Sequence, residues 1–228
     1  MKQSHNHGVH IVMLGMQGSG KGTIGALIGK YFKLPLVVTG DLLRDEIRRK
    51  TKIGKIAEPI VTHGDLVPSN LTKDLMAREL NKKKYANGAV IDGYSRNLQQ
   101  AKDLEGMAHI EWAVLLTISE KETISRISSR RSCPRGHIYN LKSRRPKKGG
   151  ICDIDGLELF IREDDKPEAI RNRLRIFRTK TKPVIDYYRR HKKLIEINAQ
   201  APVDVVMKRA EKVLKPLVAK WKKEQIEM

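Results

Sequence analysis

Gly15-Met16-Gln17-Gly18-Ser19-Gly20-Lys21-Gly22-Thr23 decides how this 228-residue chain is read. The apolar run Val9–Leu14 leads into it, and an amphipathic pattern, Gly22–Phe32, begins inside it. Strand, glycine-rich turn, lysine and helix in that order form a cradle for phosphate. Glycines let the backbone aim several N–H groups inward, and the helix adds the positive end of its dipole. Gly18, Ser19, Gly20, Lys21, Gly22 and Thr23 are the expected phosphate ligands, with Lys21 as the mobile charge. The loop is silent about what receives a phosphate.

Outward from the loop, short apolar runs recur at Leu36–Val38, Ala89–Asp92, Trp112–Leu116 and Leu194–Ile197. Between them lie helical patterns at Asp41–Lys50, Ser69–Lys83, Leu98–Glu105, Glu120–Arg130, Lys166–His191 and Pro202–Lys222. This alternation predicts an α/β fold with a five-stranded parallel sheet flanked by helices. Two stretches break it. Residues 39–68 hold two short helical patterns and no strand. Residues 131–165 are rich in Gly, Pro, Cys and basic residues, with β-like pieces at His137–Asn140 and Leu157–Ile161. Both read as insertions on the rim of the sheet, which leaves 1–38, 69–130 and 166–228 as the core.

Many phosphate loops place Ser or Thr directly after the lysine, whereas here Gly22-Thr23 follows. Gly20-Lys21-Gly22-Thr23 in this setting resembles the adenylate kinase family, and the resemblance extends over nearly the whole chain. It implies a P-loop kinase fold, a helical AMP-binding insertion at 39–68 and a small β-rich lid at 131–165. The implied reaction is ATP + AMP = 2 ADP, with Mg2+ carried by ATP. Thr39-Gly40-Asp41-Leu42-Leu43-Arg44 matches the family's Thr-Gly-Asp-x-x-Arg segment, so Thr39 and Gly40 would meet the AMP base and Arg44 its phosphate. A guanidinium fork suits that task because it grips a phosphate in two directions. Gly64-Asp65-Leu66-Val67-Pro68 is similar to the segment whose backbone lines the adenine.

Asp92-Gly93-Tyr94-Ser95-Arg96 resembles the family's strand-end motif, with Gln100 four residues after the arginine. The resemblance makes Gly93 an AMP contact, Arg96 a second phosphate ligand, Gln100 a reader of the adenine edge and Asp92 the residue that orients magnesium's waters. The family has proline after the aromatic residue, preceded by a cis bond; here Ser95 stands in its place. A cis bond before a non-proline residue costs about 2.5–4 kcal/mol. The loop either keeps a strained cis peptide or relaxes to trans, and binding at Arg96 is expected to survive.

Transfer between two nucleotides needs no general base, because the accepting phosphate oxygen is already ionised; the protein must position groups and neutralise charge. The family uses arginines, and Arg126, Arg130, Arg162 and Arg173 occupy matching positions beside Lys21 and Arg96. Arg126 and Arg130 belong to the ATP side, Arg162 and Arg173 to the AMP side. Asp164 and Asp165 would pair with such arginines. Gln200 and Ala201, after the last apolar run, would cover the ATP base through their backbone.

The lid of many relatives carries a zinc knot, and Cys133, His137, Cys152 and Asp155 fall where such ligands lie. Gly136 occupies the place of one usual cysteine, so His137 would complete the set. Imidazole nitrogen suits zinc. Other relatives hold the same lid with polar hydrogen bonds and no metal.

The composition is basic, with a net charge of +20. Residues 166–228 carry 18 basic against 7 acidic side chains, and residues 1–129 only 19 against 13. A solvated surface around polyphosphate chemistry accounts for this, and nucleic-acid binding through the basic part is the rival. No stretch reaches the roughly 20 apolar residues of a membrane span. Val9–Leu14 is too short for a signal-peptide core. A cytoplasmic monomer is expected, with tails of roughly eight residues at each end. His5, His7 and His10 read as part of the solvated N-terminal tail. The functional alternatives are a UMP/CMP or GTP-using nucleoside monophosphate kinase and an RNA-associated P-loop ATPase.

Overall fold

The computed structural model describes residues 8–226. Five strands form one parallel sheet: β1 (Val9–Leu14), β2 (Leu36–Val38), β3 (Gly88–Asp92), β4 (Ile110–Thr117) and β7 (Leu194–Asn198). Their order is β2-β3-β1-β4-β7. Alternation splits each buried strand between two cores. Val12 and Leu14 face one side, with Ile91, Ala113, Leu115, Tyr85, Tyr94 and Tyr188. Ile11 and Met13 face the other, with Ile24, Ile28, Val114, Leu116, Val206 and Leu214. Helices α1 (Lys21–Phe32) and α9 (Val203–Ile226) cover the second side. The first is covered by α4 (Ser69–Leu80), α5 (Leu98–Met107) and α8 (Lys182–Arg190). Because β1 pairs with both β3 and β4, the sheet order reverses beside it, and ligands collect beyond the carboxyl ends of strands at such a point. The phosphate loop, Asp92 and Thr39 all lie at those ends.

Residues 39–68 form α2 (Thr39–Arg48) and α3 (Lys52–Thr62) around Leu43, Ala57 and Val67, with Leu75 of α4 completing that core. Thr51 caps α3 by accepting from the Gly54 N–H at 3.0 Å. Residues 130–162 build on the hairpin β5 (Arg130–Ser132) and β6 (Ile138–Asn140) around Cys133, Tyr139 and Cys152.

Several expectations need correction. The pattern Glu120–Arg130 ends as α6 at Ser128, since Arg130 pairs with Asn140 across β5–β6. The pattern Ser69–Lys83 stops at Leu80, and a short 3-10 turn, Lys83–Tyr85, follows. Leu157–Ile161 makes isolated bridges, Ile151 to Glu158 and Ser132 to Phe160, and no strand. Lys166–His191 is not one helix: α7 (Pro167–Ile176) passes through a π turn, Phe177–Thr181, into α8. His10 is no tail residue. It is fully buried in β1, with Nδ1 2.9 Å from the Gly8 carbonyl, and burial lowers its pKa. His5 and His7 lie outside the described residues, as does the rest of the expected N-terminal tail; at the other end α9 runs to Ile226.

Candidate active site

The phosphate loop is shaped by glycines at positive φ. Gly15 (φ 137°) passes so close to β4 that a Cβ would stand 2.5 Å from the Leu116 carbonyl oxygen. Lys21 opens α1 and turns back over the loop, donating from Nζ to the carbonyls of Gly15 and Met16, both at 2.8 Å. Burial lowers its pKa to about 8; Asp92 opposes this, while Arg96, Arg173 and Arg130 add to it. Asp92 ends β3 against the loop, where a Cβ on Gly22 would sit 3.6 Å from its Oδ2. Burial raises the Asp92 pKa against the pull of Lys21 and Arg96. Its Oδ1, the Ser19 hydroxyl and the Thr39 hydroxyl are buried with no hydrogen-bond partner among the described residues.

A single pocket brings together Thr39, Gly40, Arg44, Asp65, Leu66, Val67, Gly93, Arg96, Gln100 and Arg173, joined by Leu43, Val61, Gly64, Thr72 and Asp164. Arg96 is tied at its root, Nε donating to Gly93 O at 2.9 Å. Gln100 accepts the Arg96 N–H at 3.0 Å and donates to the Thr72 hydroxyl at 3.1 Å. Among the described residues no peptide is cis, so the Tyr94–Ser95 bond is trans. Arg44 pairs with Asp41 across one helical turn.

Two buried carboxylates organise the arginines. Asp165 receives the fork of Arg130, with Nε at 2.7 Å. Asp164 receives Arg173 through its side chain at 2.8 Å and its carbonyl at 2.9 Å. Burial works against ionising Asp164, but Arg173, Arg130, Arg162 and Arg44 outweigh it and hold its pKa below the usual carboxylate value. Burial brings Arg173 and Arg162 down to about 10, an effect that neighbouring guanidiniums reinforce. Three guanidiniums, Arg44, Arg96 and Arg173, against two carboxylates, Asp65 and Asp164, leave the pocket lining with an excess of positive charge, which suits an anion.

Arg162 is not in the pocket wall; it follows the hairpin segment and donates from Nε to the Ser132 hydroxyl at 2.7 Å. Arg126 stands apart from the other arginines, bonded to Glu122 at 2.7 Å and to the Ala199 carbonyl at 3.0 Å. That bond ties α6 to the loop of Gln200 and Ala201, and Gln200 accepts the Ser119 N–H at 3.3 Å.

A family model described as adenylate kinase matches residues 13–193. The chain belongs to the adenylate kinase family. Among its relatives, an adenylate kinase of Thermosipho africanus is 38% identical over 206 residues, 88% of this chain and 96% of the relative. An adenylate kinase of Streptomyces avermitilis is also 38% identical, covering 91% of this chain and 97% of its own. An adenylate kinase of Methanothrix thermoacetophila is 36% identical over 90% of this chain and 98% of its own.

In this member of the adenylate kinase family the hairpin segment gathers Cys133, His137, Cys152 and Asp155, whose donor atoms all lie within 4.8 Å of one another. Cys133 Sγ is 2.9 Å and His137 Nδ1 3.0 Å from Asp155 Oδ2, and Cys152 Sγ is 3.4 Å from His137 Nδ1. Two tight turns present the cysteines: Gly136 N–H donates to Cys133 O and Gly156 N–H to Cys152 O, each at 2.9 Å. Both glycines take positive φ.

Besides the apolar Val61 in the pocket lining, three hydrogen-bonding residues at the site escaped the sequence reading. Thr72 lies on the buried stripe of α4 with Leu75, Met76 and Leu80, and a hydroxyl on an apolar stripe was a signal available to find it. Asn172 of α7 donates to Asp65 at 2.7 Å and to the His63 carbonyl at 3.0 Å, so it fixes the pocket loop from outside. Thr181 donates to the Arg96 carbonyl at 2.9 Å. Neither has a signature within its basic helix.

Proposed function

We infer that the chain catalyses reversible phosphoryl transfer, ATP + AMP = 2 ADP. The observation that carries this is one pocket lined by Arg44, Arg96 and Arg173 opening beside a lysine-bearing phosphate loop, in a chain of the adenylate kinase family. The loop N–H groups and Lys21 hold the donor phosphates. Arg44 and Arg96 hold the AMP phosphate, with Thr39, the 64–67 backbone and Gln100 around its base. An AMP phosphate oxygen attacks the γ-phosphorus as the bond to the β-bridging oxygen breaks. Arg130, Arg162 and Arg173 surround the moving group, and Asp164 and Asp165 keep those arginines from relaxing outward. Arg126 acts from the ATP side with Gln200 and Ala201. Residues 39–68 serve as the AMP-binding unit and 131–165 as the lid that excludes water, the rest being core.

Asp92 fits a magnesium ion carried by ATP: a buried carboxylate beside the loop, with one oxygen free of protein partners among the described residues, suits outer-sphere contact through metal-bound water. When bound, the ion neutralises charge on the transferring phosphates. In the lid, two thiols, an imidazole and a carboxylate converging within 4.8 Å fit tetrahedral zinc, which would be structural. Stoichiometric zinc in protein purified without added metal, lost in Cys152→Ser, is the expected result; metal-free wild type would reject the site.

Among the described residues no helix is long and apolar enough to cross a membrane. The chain works as a cytoplasmic monomer on free nucleotides. A coupled assay with AMP, UMP, CMP or RNA as the added component tests the assignment. ADP formation strictly dependent on AMP is expected. Turnover with UMP or CMP in place of AMP, or RNA-stimulated hydrolysis without AMP, would overturn it.

A further inference from the structure

Four hydrogen bonds hold Arg96 in its loop. Its N–H meets both Tyr94 O at 2.7 Å and Gln100 Oε1 at 3.0 Å, and its Nε meets Gly93 O at 2.9 Å. Its carbonyl accepts from the hydroxyl of Thr181, 85 residues away. Thr181 is buried and ends the π turn between α7 and α8.

The π turn that carries this hydroxyl has a local cause. Pro183 is the second residue of α8 and has no N–H, and in an unbroken α-helix its ring would strike the carbonyl of Thr179. Widening by one residue relieves the clash, a device often found at functional sites. The Lys182 N–H then reaches back five residues to Phe177 O. A helical threonine ordinarily bonds the carbonyl four residues behind it. Thr179 does so, donating to Arg175 O at 3.0 Å. The Thr181 hydroxyl does not follow that pattern: it turns away from its own helix and donates to the Arg96 carbonyl. Seven residues further on, Tyr188 of α8 approaches the Ser95 hydroxyl at 3.4 Å, so the π turn and α8 each back the same loop. With serine where a ring would stiffen the chain, the bracing comes from outside the loop.

We propose that Thr181 is a positioning residue for the acceptor phosphate: its hydroxyl fixes the Arg96 peptide and thereby the aim of the Arg96 guanidinium, and the π turn exists to present it. The proposal rests on the reading of Arg96 as an AMP-phosphate ligand. Thr181→Val keeps the shape and removes the hydrogen bond. Loss of that part-buried bond is expected to raise KM for AMP about three- to tenfold. KM for ATP stays near wild type, the thermal midpoint falls by no more than about 2–4 °C, and Thr181→Ser recovers KM for AMP to within about twofold, because only the hydroxyl is required. In an Arg96→Ala background the valine adds nothing, since residues acting as one unit are not additive.

A normal KM for AMP in Thr181→Val, while Arg96→Ala raises it, would overturn the proposal and leave the Arg96 reading intact. Equal rises in both KM values, or an additive loss in the double variant, would also overturn it by pointing to a general structural role. Should Arg96→Ala itself leave KM for AMP unchanged, the reading of Arg96 falls and the proposal with it. If the valine variant does not fold, Thr181→Ala is measured on the same terms.

Discussion

Lys21 is where charge, burial and chemistry meet most sharply. Burial reduces the ammonium's hold on its proton, Asp92 partly restores it, and three nearby guanidiniums weaken it further. The protonated form is the one that binds phosphate, and the free enzyme's pKa of about 8 governs kcat/KM. Activity at low ATP should therefore be level below that value and fall as pH rises through it. Lys21→Arg should abolish the fall while lowering the plateau, because a guanidinium keeps its proton but has the wrong shape for the loop. A kcat/KM profile for ATP from pH 6.5 to 9.5 checks this, and a wild-type curve that stays flat to the top would sink it. The glycine-rich motif led straight to Lys21 because its spacing is itself the mechanism. His10 shows the opposite case: beside His5 and His7 it reads as tail, yet it sits fully buried in β1. The apolar run Val9–Leu14 already contains it, and because β1 is covered on both faces every position in that run is buried, a histidine included.

At the scale of elements, α2 and α3 touch backbone to backbone at one point. A Cβ on Gly54 would stand 2.1 Å from the Glu46 carbonyl oxygen, so backbone lies on backbone there. Gly54→Ala must push the two helices apart, at a cost of about 1–3 kcal/mol by overpacking. The damage should concentrate in residues 39–68, because their core of Leu43, Ala57, Val67 and Leu75 is separate from the two cores of the sheet. Faster hydrogen exchange confined to α2 and α3, with a rise in KM for AMP larger than that for ATP, is the expected outcome. Uniform loss of protection across the sheet would refute it. The five strands were legible because each is a short apolar run bounded by polar turns. The break between α7 and α8 was not, although Pro183 marked it, because the amphipathic pattern continues across the π turn. Likewise Arg130 continues the helical spacing of α6 but is taken by the hairpin, a tertiary pairing that local pattern does not encode.

Across the whole molecule, the strong positive charge bears on rate more than on fold. The outer face of α9 exposes Lys208, Arg209, Lys212 and Lys215, while Val206, Ala210, Leu214 and Val218 of the same helix are buried against α1 and the sheet. Those lysines touch no site residue among the described contacts, yet they belong to a field that draws in nucleotides carrying several negative charges. Screening separates this long-range pull from contact inside the pocket. The Debye length shrinks from about 30 Å at 0.01 M salt to about 8 Å at 0.15 M, so the field of α9 fades while arginines touching phosphate lose less. Raising salt over that range should lower kcat/KM for ATP and AMP several-fold, with kcat at saturation nearly unchanged. The combined variant Lys208→Gln, Lys212→Gln and Lys215→Gln should show a shallower salt slope and the same kcat. If instead the variant keeps the wild-type slope, the basic helix does not steer nucleotides. Its charge would then call for a different polyanion, and single-stranded RNA added to the same assay would identify one by binding to wild type and not to the variant.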